Sequence, residues 1–133
     1  MQLKSDTPLT VSSQDKGKPL RILLVDDDAS MLVLLPKILA RRGFEVVVAG
    51  DADAAERALE AGPVDVLVAD VQLPGRDGLS LAMSVQKRWP TVRIIFVSAF
   101  DVDALRKRAE VLGVTAFLSK PIGVEELIGH LVK

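Results

Sequence analysis

The chain has 133 residues, a length that suits one domain around one core. Its 17 Lys and Arg against 18 Asp and Glu leave a formal net charge of -1, which excludes a polycation that would attract nucleic acid or an anionic membrane nonspecifically. It has no cysteine, which excludes disulfides and thiolate metal sites, and its lone histidine, His130, excludes a histidine cluster.

Residues 1–19 are polar and aperiodic and read as a flexible tail or linker, with one domain over 20–133. The first twenty residues lack the apolar core of a signal peptide, and no apolar run approaches a membrane span. The expected location is cytoplasmic, with no membrane contact. From Leu20 two kinds of segment alternate. The first strand, "LRILLV" (20–25), runs into Asp26, Asp27 and Asp28. Met31, Leu34, Leu35, Ile38 and Leu39 then mark one face of a helix, which closes with Arg41 and Arg42 at its negative pole and Gly43 beyond. Pro36 falls inside that helix, where it removes a hydrogen bond to Leu32 at a cost of roughly 3 kcal/mol, so a bend is expected.

"FEVVVA" (44–49) is the second strand, followed by a helix capped by Asp51 and closed by Gly62-Pro63. "VDVLVA" (64–69) is the third and ends in Asp70. The turn Pro74-Gly75-Arg76-Asp77-Gly78 leads into a helix that Asp77 helps to start and that Trp89 ends by packing. "VRIIFV" (92–97) is the fourth strand and ends at Ser98. Val102, Leu105, Ala109 and Leu112 mark the fourth helix, closed by Gly113, and "TAFLS" (115–119) leads to Lys120-Pro121. Almost continuously apolar, β-branched strands are buried on both faces. Five successive β–α units therefore predict an α/β fold: a single doubly wound (βα)5 domain with a five-stranded parallel sheet.

In such a sheet ligands bind outside the carboxyl ends of the strands, where strand order reverses. Asp26, Asp27, Asp70, Ser98 and Lys120 all stand at those ends. Converging carboxylates without a cation bind protons instead, because like charges disfavour ionisation. A hard divalent cation resolves the conflict: Mg²⁺ takes oxygen ligands, commonly one or two carboxylates with waters and phosphate oxygens. Asp26 and Asp27 are the expected contributors, whereas Asp28 is expected to face solvent at the positive end of the next helix.

"ILLVDDDAS", "VLVADVQLPGRDGLSL", "IIFVSAF" and "AFLSKP", each at the end of a predicted strand, resemble the four signatures of the receiver domain of bacterial two-component response regulators. The resemblance runs from about Leu20 to Lys133. It implies the flavodoxin-like receiver fold with strand order 2-1-3-4-5. It also implies a Mg²⁺- or Mn²⁺-dependent phosphorelay in which Asp70 is the phosphoacceptor, Asp26 and Asp27 hold the metal with Asp70, and Gln72 adds its backbone carbonyl. Lys120 would pair with the phosphoryl oxygens, and Lys120-Pro121 is often cis in the family. Ser98 and Phe117 match the switch positions, although Phe117 lacks the hydroxyl of the Tyr that many relatives carry. Gln72 and Phe100 occupy positions that border the path of attacking water and so tune the lifetime of the phosphoryl group.

The implied partners are a sensor histidine kinase or a histidine phosphotransfer protein, and an output partner on the surface of the fourth helix, fifth strand and fifth helix. A phosphorylation-linked dimer fits the same reading, and direct nucleic-acid binding does not. His130 has nothing of a kinase histidine box around it and is not the donor. The domain would be a self-phosphorylating, self-dephosphorylating switch, not an enzyme that turns over a free substrate. Two rivals make different demands. A haloacid-dehalogenase-like phosphohydrolase would use Asp26-Asp27-Asp28-Ala29-Ser30 as its D-x-D-x-[TV] signature and sustain turnover of an aryl phosphate, but it leaves Asp70 unexplained. A pseudo-receiver docking module would keep the fold and fail to bind Mg²⁺ with a phosphate mimic.

Overall fold

The computed structural model describes residues 18–100 and 103–132. The expectation of a flexible tail therefore falls outside the described residues, apart from Lys18 and Pro19, and so does that for Val102. Strands and helices alternate strictly: β1 (Arg21–Val25), α1 (Ala29–Arg41), β2 (Glu45–Ala49), α2 (Ala52–Ala61), β3 (Val66–Asp70), α3 (Gly78–Arg88), β4 (Arg93–Ser98), α4 (Asp103–Leu112), β5 (Ala116–Ser119) and α5 (Val124–Leu131). The strands form one parallel sheet in the order β2-β1-β3-β4-β5.

Alternation along each strand sends side chains to two separate cores. Leu23, Val25, Leu67, Ala69, Ile94 and Phe96 pack with Ala55 and Leu59 of α2, Leu79 and Val85 of α3, and Ala109 of α4. Ile22, Leu24, Val66, Val68, Ile95 and Val97 pack with Leu35 and Leu39 of α1 and Leu127 and Leu131 of α5. Both faces of the central strands β1, β3 and β4 are thus covered, which is why those strands read as nearly unbroken apolar runs.

Helix ends follow their capping chemistry. Asp51 accepts from Ala54 N–H at 2.7 Å and Asp77 from Ser80 N–H at 2.8 Å, so each begins its helix. Gly43 adopts φ 94 just past the α1 C-cap, a left-handed conformation that favours glycine. α1 runs unbroken through Pro36. Only Leu35 and Leu39 of its expected apolar face are buried, with Met31 partly so; Leu34 is 60% and Ile38 40% exposed. The reason is geometric: those five residues span a wider arc than one sheet face can cover, and the i, i+4 pair Leu35 and Leu39 takes the contact.

Register levels the functional strand ends. Val25 pairs with Ala69, so Asp26 and Asp70 stand side by side one residue further on. Asp70 pairs with Val97, which sets Ser98 one step beyond it, and Ser98 pairs with Ser119, which brings Lys120 alongside.

Candidate functional site

β1 and β3 are neighbours although not consecutive in the chain, so the sheet reverses its winding between them. Asp26 and Asp70 flank that point. Both are buried, as is Ser98, and they are the polar exceptions in a core that is otherwise apolar among the described residues. Asp27 is exposed at the mouth of the pocket. One carboxylate oxygen from each of Asp26, Asp27 and Asp70 lies within 4.8 Å of the others.

Lys120 answers part of this charge. Its Nζ lies 2.7 Å from Asp26 Oδ2 and 2.8 Å from Asp70 Oδ2. Burial works against the ammonium charge, but the hydrogen bonds to Asp26 and Asp70 outweigh it and hold Lys120 above the ordinary lysine range. The second Asp70 oxygen, Oδ1, accepts from Gln72 N–H at 2.8 Å, and Asp26 Oδ1 accepts from Asp28 N–H at 2.9 Å. The Lys120-Pro121 bond is cis, as the resemblance implies.

Asp28 does not join this group. Its Oδ1 accepts from the Ser30 hydroxyl at 2.7 Å and from Ser30 N–H at 3.0 Å, capping α1. Those bonds, the hydroxyl's first, hold its pKa below the ordinary Asp value. The D-x-D reading needs Asp26 and Asp28 to act together. Here Asp28 serves the helix and Asp70 takes the place beside Asp26.

The Ser98 hydroxyl is turned to its own loop. It donates to the Phe100 carbonyl at 2.8 Å and accepts from Phe100 N–H at 3.0 Å. Phe117 is half-buried, edge-on to Phe96 with ring centroids 6.5 Å apart. The Arg106 guanidinium of α4 lies 4.7 Å from the Phe117 ring centroid and donates to the Phe117 carbonyl at 3.4 Å. The Gln72 side chain is exposed, and Phe100 is 53% exposed.

Asp26, Asp27, Asp70 and Lys120 thus converge, while Ser98 stands at the neighbouring strand end with its hydroxyl bonded to Phe100. What sequence reasoning missed is their support. Arg106 bears on Phe117, and Arg76 pairs with Glu56 and Asp53 of α2. Periodicity and turn chemistry carry no signal for contacts between side chains of separate elements.

The donor set suits a hard divalent cation: three carboxylates supply oxygen ligands only, and a single lysine leaves the local charge negative. Fold and pocket together define a doubly wound α/β protein with an acidic site at its topological switch point. The chain belongs to the response regulator receiver domain family, whose family model matches residues 22–132.

The chain is 33% identical over 115 residues to the transcriptional regulatory protein TrcR of Mycobacterium tuberculosis, an alignment covering 86% of this chain and 45% of that protein. Identity to the DNA-binding transcriptional regulator NtrC of Azospirillum brasilense is 35%, over 80% of this chain and 22% of the relative. The chain thus spans about half the length of TrcR or less of such curated relatives. Among solved structures, a CheY-like receiver domain protein from Methanospirillum hungatei aligns with a TM-score of 0.81 at 26% identity, covering 86% of this chain and 91% of that one. A Burkholderia pseudomallei response regulator described with a phosphorylated aspartic acid, a calcium ion and citrate aligns with a TM-score of 0.79 at 28% identity, covering 84% and 66%.

Receiver domains are signalling proteins of two-component systems, not enzymes of substrate turnover. Among the described residues no helix is long and apolar enough to cross a membrane.

Proposed function

We propose that this receiver domain takes a phosphoryl group onto Asp70 from a histidine kinase or histidine phosphotransfer protein, with a divalent cation held by Asp26, Asp27, Asp70 and the Gln72 carbonyl. The observation that carries this is Asp70 itself: a carboxylate at the end of β3, paired with Lys120 and within 4.8 Å of two more carboxylates. An Asp70 oxygen attacks phosphorus and forms the P–O bond. The P–N bond to the donor imidazole breaks, and the imidazole leaves with the electron pair. When bound, Mg²⁺ or Mn²⁺ supplies charge neutralisation for the phosphoryl oxygens. Lys120 already touches Asp70 Oδ2, so a phosphoryl group built on Asp70 brings new oxygens within its reach while the bond to Asp26 persists.

Ser98 supplies the switch. Turning its hydroxyl to the phosphoryl group gives up two neutral hydrogen bonds to Phe100, about 0.5–1.5 kcal/mol each, and gains one to a charged acceptor, about 1.5–3 kcal/mol. The two states are thus close in energy, as a switch requires, and the phosphoryl group biases them. The space Ser98 leaves lets Phe117 move inward. Its contact with Arg106 passes the change to α4, so output partners dock on the surface of α4, β5 and α5. The experiment is to add Mg²⁺ and beryllofluoride and follow backbone amides by NMR. Shifts are expected to spread from the strand ends into α4 and β5. Shifts confined to the strand ends would count against a switch, and absence of binding would leave a docking module in its place.

The lifetime of the phosphoryl group is set by water in line with phosphorus. Phe100 offers no polar group to orient water and enough bulk to obstruct it. Gln72 has an amide that can hydrogen-bond water or a phosphoryl oxygen, so its effect can take either sign. After removal of the donor, Phe100→Ala is expected to lose its phosphoryl group several-fold faster than wild type with Mg²⁺ present; a tenfold change would equal about 1.4 kcal/mol in the barrier. Equal or slower decay would remove Phe100 as a shield.

A further inference from the structure

The loop from Val71 to Asp77 carries Gln72, and its base is closed tightly. Gly78 N–H donates to the Val71 carbonyl at 2.8 Å. A Cβ at Gly78 would come within 2.4 Å of the Asp70 carbonyl oxygen, so the start of α3 is pressed against the end of β3. Between these points the loop turns through Gly75, whose φ of 75 is left-handed. Arg76 makes the loop's ion pairs to another element among the described residues: Nη2 bonds Glu56 Oε2, and Nη1 lies 3.7 Å from Asp53 Oδ1.

Glu56 is a fixed anchor. Its side chain is only 17% exposed, and Arg88 of α3 lies 3.7 Å from its other oxygen. Burial alone would raise its pKa, but hydrogen bonds from Ser84 and then Arg76 bring it below the ordinary Glu value. Asp53, Glu56 and Glu60 recur at i, i+3 and i+7, so they line one face of α2, where Arg76 meets the first two and Arg88 the last two.

We propose that Arg76 is a positioning residue for the phosphorylation pocket: by tying the β3–α3 loop to Glu56, it holds the Gln72 segment where that segment can serve the divalent cation and Asp70. This rests on the function proposed above. Outer-shell contacts that orient metal ligands typically change affinity by about 10–100-fold when removed, and the effect of Arg76 belongs at the low end because Asp26, Asp27 and Asp70 stay in place.

The test measures Mg²⁺ affinity by titration calorimetry, and amide hydrogen exchange of residues 71–77 in metal-free protein, for wild type, Arg76→Gln, Glu56→Gln and Arg88→Gln. Arg76→Gln and Glu56→Gln are each expected to weaken Mg²⁺ binding about tenfold and to speed exchange in the loop. Arg88→Gln also breaks charge contacts between α2 and α3 but leaves the loop's tie, so it should lower thermal stability without moving Mg²⁺ affinity. If Arg76→Gln binds Mg²⁺ as wild type does, or if Arg88→Gln weakens binding equally, Arg76 is only a stabilising contact and the proposal falls. A wild-type protein that binds no Mg²⁺ overturns the proposed function as well, which separates the two failures.

Discussion

Asp70→Asn is expected to lose all stoichiometric, Mg²⁺-dependent labelling by acetyl phosphate. The amide nitrogen and oxygen of Asn carry no charge to attack phosphorus, so the nucleophile is removed while the shape of the side chain is kept. Lys120 retains Asp26, 2.7 Å away, so the pocket still holds a paired lysine and the fold should persist. Wild type is expected to give one acid-stable, base-labile phosphoryl group per chain, and omission of Mg²⁺ should suppress it. Mass spectrometry of the intact chain and circular dichroism of both proteins measure the two halves of the claim. Full labelling of Asp70→Asn with native structure would move the phosphoacceptor elsewhere.

Lys120→Met should destabilise the metal-free protein by about 2–3 kcal/mol. Removing one partner of a fully buried ion pair costs about 3–5 kcal/mol because the other charge is left uncompensated. Here the Lys120 side chain keeps 18% exposure, so water moderates the penalty. The expected fall in melting temperature is roughly 5–15 °C for a domain of this size. Mg²⁺ should restore more stability to the variant than it adds to wild type, since it then compensates Asp26 and Asp70 without a competing ammonium.

pH supplies a second reading of the same contact. Folding raises the Lys120 pKa above 10.5, so its contribution is complete below pH 10.5 and disappears as pH rises through the folded-state value. The stability gap between wild type and Lys120→Met should therefore narrow in that alkaline window. Equal melting of the two proteins at neutral pH without metal would show that the lysine does not stabilise the pocket.

The strand ends were legible because they break a strong pattern. Asp26, Asp70 and Ser98 each end a run of apolar residues rich in Val and Ile, Lys120 follows the short segment Ala116–Ser119, and parallel topology puts such ends on one edge. The caps Asp51 and Asp77 were equally legible, because capping joins neighbours in sequence. The face of α1 was only half legible: helical spacing groups Leu34 and Ile38 with Leu35 and Leu39, but the breadth of the sheet decides which pair is covered. The orientation of Ser98 was not legible, because a hydroxyl has a choice of partners and only the loop geometry selects Phe100.

By itself, then, the sequence determined the alternation of strands and helices, the parallel sheet and the residue types of the pocket, since these follow from local periodicity, capping and burial on two faces. Only the tertiary structure decided that Lys120 bridges Asp26 and Asp70, that Arg76 joins the loop after β3 to α2, and that Arg106 of α4 bears on Phe117. Those contacts join side chains up to 94 positions apart, as in Asp26 and Lys120, and their geometry is set by sheet register and helix placement instead of spacing along the chain.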